Sequence, residues 1–369
     1  MNDYDYRHTY IKRTDPTVPA QSTPAPGSAD PAPAPAPDPQ DLYAGTFAAT
    51  LPVIEAVWAQ VSPDPATTAT MAAVLVPLTE HATAAGFTTW DQIPATLIRR
   101  FIGRDKDVGG DTRRLRKNAA HGAYVALRDA GLYDGSSTPT EGIDPVPQAV
   151  RADERGKHLG DAACKRKRRA YVERVHVRPA SDDEILLIRL ATRLAGTTRA
   201  KGLPAAAVAI CSSSATTTEA PQVLWRHLKE HNMDLAGRYA DPGRQETTIA
   251  ARTVHLDNWA ADALENWWQE RSEVRPIDRG ASVLYTGAQA LDSLSAQVSA
   301  DKQVRKALQI ADLTRETGLS AGSLRMWAAA RHITTFAGLE TGAATAGIEP
   351  LTLLRQITQQ GDRGFRRCT

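Results

Sequence analysis

The sequence has 369 residues, which is long enough for two domains and a tail. Hydrophobic residues make up 42% and charged residues 23%, which is typical of a globular protein rather than a membrane or disordered one. The net charge is only +2, so the molecule is not a polycation, and any surface for a polyanion must be a local patch.

The N-terminal 40 residues are rich in proline and alanine, as in the alternating run from Pro31 to Pro37. Proline has no N–H and a fixed φ, so residues 1–40 are predicted to form an extended, disordered tail. A docking segment for a partner is the alternative. The first residues lack the charged and apolar regions of a signal peptide, and no apolar run could span a membrane, so we expect a cytoplasmic protein.

Residues 41–135 show apolar side chains at helical spacing and are predicted to form a small all-helical domain. The first turns of its last helix carry four cations: Arg113, Arg114, Arg116 and Lys117. Positive charge at a helix N-terminus opposes the helix dipole and costs stability. We therefore expect an anionic partner to offset these charges, and a nucleic-acid phosphate is the favoured one.

Residues 136–180 contain several prolines and a continuous basic run, and are predicted to be an interdomain linker. The run consists of Lys165, Arg166, Lys167, Arg168 and Arg169. Two interpretations stay open at this stage, a solvated linker and a phosphate contact.

A second domain is predicted over residues 181–360, followed by a short tail over 361–369. It opens with a capping box, Ser181–Glu184, ahead of an apolar helix. Further helices are predicted at Ala205–Cys211 and Trp259–Trp268, and β-prone segments lie near residues 247–249 and 253–256. The predicted fold class is mostly α with a small antiparallel β-sheet. Three distant cysteines, and His227 and His231 without further ligands, predict no disulfide framework and no metal site.

Four segments of this second domain occur in an order that resembles tyrosine recombinases, also called phage integrases. These segments are the domain start at Ser181, the stretch Glu219–Trp225, the strand Arg252–Leu256, and the helix Asn258–Trp268. The turn Gly318–Ser323 that leads into Arg325 adds to the same resemblance. The resemblance covers about residues 45–360. It implies a helical core-binding domain and an α+β catalytic-like domain that close around double-stranded DNA.

The resemblance also implies that most of the catalytic residues have been lost. Arg325 holds the position of an arginine that binds the scissile phosphate, but Thr216 stands where the family has its first arginine. Gly322 and Ile348 replace two histidines, Ile357 falls near the nucleophilic tyrosine, and the catalytic lysine has no counterpart. We therefore expect a cytoplasmic, nucleoid-associated protein that binds duplex DNA without strand transfer and needs no cofactor. The resemblance allows self-association on DNA.

Two other functions are kept as alternatives. The first is an active site-specific recombinase with relocated chemistry, in which Thr352 or Thr358 would have to replace the nucleophile. The second is a transcriptional regulator, because residues 313–327 also fit a helix–turn–helix with a glycine at the turn.

Overall fold

The computed structural model describes the following residues: 46–103, 110–135, 138–143, 178–194, 202–238, 248–274, 276–314, 319–333 and 336–354. They all belong to one compact unit, Asp38–Thr369. The predicted N-terminal tail, the basic run 165–169 and the C-terminal tail lie outside the described residues. No described helix is both long and apolar enough to cross a membrane.

The first part of the chain folds into a cluster of helices around one hydrophobic core. The helices are α1 (Phe47–Val61), α2 (Pro65–Ala84), α3 (Ala95–Ile102) and α4 (Gly110–Asp129). Asp64 begins α2, because its carboxylate accepts a hydrogen bond from the Ala66 N–H at 2.8 Å. The core includes Trp58, whose indole donates to the Gly122 carbonyl at 3.1 Å. These helices confirm the predicted helical character of this segment.

Helix α5 (Asp182–Leu194) is shared between two hydrophobic cores. It begins behind Ser181, whose N–H donates to the Glu184 carboxylate at 2.9 Å, as the predicted capping box requires. Leu186 and Leu190 pack into the core of the first helices. Ile185 and Ile188 pack into the second core. Because α5 is buried on both sides, the two parts of the chain meet across a hydrophobic interface.

The second core is built from helices and a small sheet. The helices are α6 (Gly202–Ser212), α7 (Asn258–Val274), α8 (Leu294–Ile310), α9 (Ala321–Ala330) and α10 (Phe336–Ala346). The strands are β1 (Leu228–Lys229), β2 (Asn232–Leu235) and β3 (Arg252–His255). They form an antiparallel sheet in the order β1-β2-β3, with Met233 opposite Val254. The predicted class, mostly α with a small antiparallel sheet, is confirmed.

Helix α6 lies at the centre of the second core and packs against α7, α8 and α9. Its sequence is mainly alanine and other small apolar residues, nearly all buried. Small side chains let neighbouring helices approach closely and fix where their ends lie. Two of those ends matter for the site: the residues just after α6, and the last residues of α10.

Candidate functional site

Arg325 lies in the second turn of α9, a helix that begins at a reciprocal cap between Ser320 and Ser323. The Ser320 N–H donates to the Ser323 hydroxyl at 3.0 Å. The half-buried Arg325 donates from Nη2 to the carbonyl of Ala346, the last residue of α10. Its Nε is buried and has no acceptor among the described residues. A guanidinium has five N–H donors, so Arg325 keeps most of its hydrogen-bonding capacity.

Arg252, the first residue of β3, differs from Arg325 because all of its N–H groups are hydrogen-bonded. Its Nε donates to the Thr345 carbonyl at 2.8 Å. Its Nη1 donates to Glu219 Oε1 at 2.7 Å and to the Ala250 carbonyl at 3.1 Å. Its Nη2 donates to the Ser214 carbonyl at 2.7 Å and to Glu219 Oε2 at 3.2 Å. All five donors are in use, so Arg252 has none left for a ligand.

Glu219 is the carboxylate at the centre of this cluster, and its side chain is 1% exposed. It also accepts from the Thr216 N–H at 2.9 Å and from the Thr216 hydroxyl at 3.0 Å. Burial by itself would raise the pKa of Glu219, but the hydrogen bonds and charge of Arg252, together with Thr216, outweigh it and lower the pKa. Glu219 is therefore ionised, and its oxygens are already occupied.

Burial and neighbouring charges both affect the ionisation of Arg325. Burial, followed by the charges of Arg252 and Arg238, lowers the pKa of Arg325 to about 10, while Glu219 acts in the opposite direction. Arg325 thus stays protonated at neutral pH. The hydroxyl of Ser214, next to Arg252, is buried without a partner among the described residues. Buried polar atoms without a partner are uncommon in folded proteins, and a bound water or ion is one way in which they are satisfied.

Three positions that the resemblance assigns to catalysis are described. Thr216 is committed to Glu219, and Gly322 lies in the first turn of α9 and has no side chain. Ile348 is 8% exposed and packs in a small apolar cluster with Ile249 and Met326. Gly322 and Ile348 offer no group that could transfer a proton, and the Thr216 hydroxyl is occupied by Glu219. The fourth position, Ile357, lies outside the described residues.

The predicted cations of α4 fall into two groups. Arg113, Arg114 and Arg116 are half-buried, and Arg116 lies over the Phe101 ring at 5.4 Å. Lys117 is buried, and its ammonium lies 3.0 Å from the Asp312 carboxylate and donates to the Asp312 carbonyl at 2.8 Å. The anion that offsets this charge is therefore supplied by the chain itself. The other predicted set, Lys165 to Arg169, is outside the described residues.

The helix–turn–helix alternative requires an exposed recognition helix, because such a helix inserts one face into a DNA groove. In the structure α9 would be that helix. Each of its ten residues is buried or half-buried, with Leu324 and Ala329 fully inaccessible. It packs between α6 and α10. Helix α9 therefore has no free face for a groove, and this alternative does not fit the structure.

Arg252 and Arg238 are the site residues that sequence analysis missed. The strand containing Arg252 was predicted, and a long cation at its first position was the available signal. Its partners could not be read from the sequence, because the Thr345 carbonyl lies 93 residues further along. Among the described residues, no group of three His, Cys, Asp or Glu side chains is placed to hold a metal ion.

Several solved structures are similar to the chain. XerA recombinase is 13% identical over 86% of this chain and 96% of its own, with a TM-score of 0.37. A lambda integrase dimer bound to a COC' core site is 12% identical over 88% and 80%, with a TM-score of 0.37. XerH recombinase bound to its difH substrate is 12% identical over 87% and 97%, with a TM-score of 0.38.

No protein-family model matches the sequence, and no curated protein matches it. The identities and TM-scores of the similar structures are low, so they do not assign a family or an activity. The function proposed below therefore rests on the geometry of the arginine cluster and on the residues of the sequence motifs.

Proposed function

We propose that this chain binds double-stranded DNA, that Arg325 donates to a backbone phosphate, and that no strand is cut. The observation that carries the proposal is the difference in free donors between two neighbouring arginines. Arg252 uses all five N–H groups inside the protein, whereas Arg325 uses one among the residues that the structure describes. A planar guanidinium with N–H groups left to donate matches a phosphate in shape and charge.

Duplex DNA is favoured among phosphate ligands because Arg325 is the arginine that the sequence resemblance places on a DNA phosphate. Arg113, Arg114, Arg116 and the basic run 165–169 are proposed as further backbone contacts, which position the protein without reading bases. Lys117 is left out of this set, because its ammonium already binds Asp312. An accessory or regulatory role at a mobile element, plasmid or chromosomal site would suit such a protein.

The absence of strand transfer is supported by the side chains at the catalytic positions. Cleavage needs charge stabilisation on the phosphate and groups that move protons, and removal of one such donor typically costs about 10²–10³ in rate. Here Thr216 serves Glu219, Gly322 offers no side chain, and Ile348 is apolar core. The loss of several groups together leaves no route to a covalent intermediate.

DNA binding is tested first with duplexes selected from a random pool. Arg325→Ala is expected to weaken binding by about 1–3 kcal/mol, which is typical of one charge-assisted hydrogen bond. The slope of log affinity against log salt should become shallower by about 0.9. Arg305→Ala is the matched control, because Arg305 is exposed and pairs locally with Asp301. If a folded Arg325→Ala variant bound as tightly as the parent, the proposed contact would be wrong.

Cleavage is tested with the selected duplex carrying a nick that traps a covalent intermediate. We expect no protein–DNA adduct and no nicked product. An adduct would establish the alternative, a recombinase with relocated chemistry, and mapping the attached residue would identify the nucleophile, with Thr352 and Thr358 as the first residues to check.

A further inference from the structure

Arg252 connects three separate segments that surround Arg325. Its acceptors lie just after α6 (Ser214), in the turn that carries Glu219, and at the end of α10 (Thr345). With its side chain 7% exposed and every N–H used, Arg252 works as a fixed cross-link. Fork-shaped, multidentate contacts of this kind are specific to arginine, since a lysine ammonium cannot reproduce their geometry.

This cross-link reaches the acceptor that orients Arg325. Arg252 Nε binds the Thr345 carbonyl, and Arg325 Nη2 binds the carbonyl of the next residue, Ala346. These are the last two carbonyls of α10, where cations are favoured by the helix dipole and by carbonyls that lack helical partners. Following α10, the Ala250 N–H donates to the Gly347 carbonyl at 2.8 Å. The end of α10 is thus fixed by Arg252 and by the segment just before it.

We propose that Arg252 and Glu219 form a positioning pair that holds the end of α10, and through it the guanidinium of Arg325, in the orientation needed to bind a phosphate. Arg252 does not touch the ligand in this arrangement. The inference rests on the proposed function and adds to it a role for two residues that do not contact the phosphate.

The chain contains a matched control for the pair. Glu184 accepts from both Nη atoms of Arg178 and from the Ser181 N–H three residues earlier. Glu219 is held in the same way by Arg252 and by Thr216, also three residues earlier. Both carboxylates are buried, with side chains 2% and 1% exposed. Arg178→Lys therefore perturbs a similar fork, whose arginine is 30% exposed against 7% for Arg252, without touching the contacts of Arg325.

The experiment measures binding of a short selected duplex at several salt concentrations for the full chain and its variants. Arg252→Lys keeps the charge but not the five hydrogen bonds. We expect it to weaken binding about 10- to 100-fold and to make the salt slope shallower by about 0.9, as Arg325→Ala does. In the Arg325→Ala background, Arg252→Lys should have no further effect, because the residue it positions is gone. Arg178→Lys should keep the parent slope.

A folded Arg252→Lys variant with the parent slope would refute the positioning role while leaving the proposed function intact. The same is true if Arg178→Lys changes the slope equally, because the effect would then be general destabilisation. If the parent binds no duplex, or Arg325→Ala has no effect, the proposed function itself fails. Should Arg252→Lys not fold, as judged by its melting curve, Glu219→Gln keeps the shape and removes the ionic half of the pair. The same decrease in the salt slope of DNA binding is expected for Glu219→Gln, and the parent slope in this variant would refute the positioning role.

Discussion

The ion pair between Lys117 and Asp312 gives the sharpest test of how the two parts of the chain are joined. The ammonium contacts the carboxylate at 3.0 Å and the carbonyl at 2.8 Å, and the two side chains are 3% and 19% exposed. Removing one member of a buried pair typically costs about 3–5 kcal/mol. Lys117→Met retains the apolar stem, and the Asp312 carboxylate has some access to water. We therefore expect a loss of about 3 kcal/mol, at the lower end of that range.

Substitution of the other member of the pair, Asp312→Gly, distinguishes the contribution of the ion pair from that of backbone strain. Asp312 has a φ of 52°, in the left-handed region, where glycine is more stable by about 1 kcal/mol. Asp312→Gly relieves that strain but leaves the Lys117 ammonium buried without its carboxylate, so a net loss is expected. The double variant Lys117→Met/Asp312→Gly should be more stable than either single variant, because no buried charge is then left without a partner.

The assay is guanidinium unfolding followed by circular dichroism, with Arg305→Met as the control. Arg305 is 76% exposed and pairs with Asp301 one helical turn away, so its loss should change the free energy of unfolding by less than about 0.5 kcal/mol. The reasoning is refuted if Lys117→Met is as stable as this control, or if the two single effects simply add. The salt slope of DNA binding should also be unchanged in Lys117→Met.

Three further predictions concern the first group of helices. Gly122→Ala should lower stability by up to about 2 kcal/mol: its new methyl would lie 3.1 Å from a Leu187 methyl, and overpacking outweighs the helical gain from alanine. Burial lowers the pKa of His121 from 6.5 to about 3, so that as the pH falls the unfolded chain binds this proton before the folded protein does. The free energy of unfolding should therefore decrease as the pH drops below 6.5. Unfolding curves over a pH series should show a smaller decrease for His121→Gln. Asp64→Ala should cost about 1 kcal/mol by thermal unfolding, through loss of the cap of α2.

The elements predicted well are those whose signals are local. Helix α5 begins at the capping box predicted from Ser181 and Glu184. Helix α7 and strand β3 lie where apolar spacing and β-branched residues predicted them. Strands β1 and β2 were not predicted as strands, because they have two and four residues and no alternating pattern to detect. They exist because β2 pairs with β3, and β3 begins 17 residues after the end of β2 (252 − 235).

The charged residues were harder to predict because their partners are distant in sequence. The cations at the start of α4 were expected to need an anionic partner, with DNA phosphate favoured, but the anion beside Lys117 is Asp312, 195 residues away. Similarly, Arg252 heads a strand that was predicted, while three of its acceptors come from segments before and after it in the chain. Sequence patterns show that a charge must be offset, and tertiary structure decides which group offsets it.

The two arginine–glutamate forks show why a site cannot be found from such a motif alone. Ser181 and Thr216 each precede a glutamate by three residues, and each glutamate is buried and bound by an arginine fork. Burial opposes ionisation of both carboxylates, and the arginine lowers the pKa of both. The two forks differ in having or lacking a further arginine nearby. Arg325 lies close enough to Glu219 for its pKa to be affected, and the Arg325 Nε has no acceptor among the described residues. The Arg325 guanidinium is thus the feature on which the proposed phosphate contact depends, and the fork at Glu184 has no equivalent of this contact in the proposal.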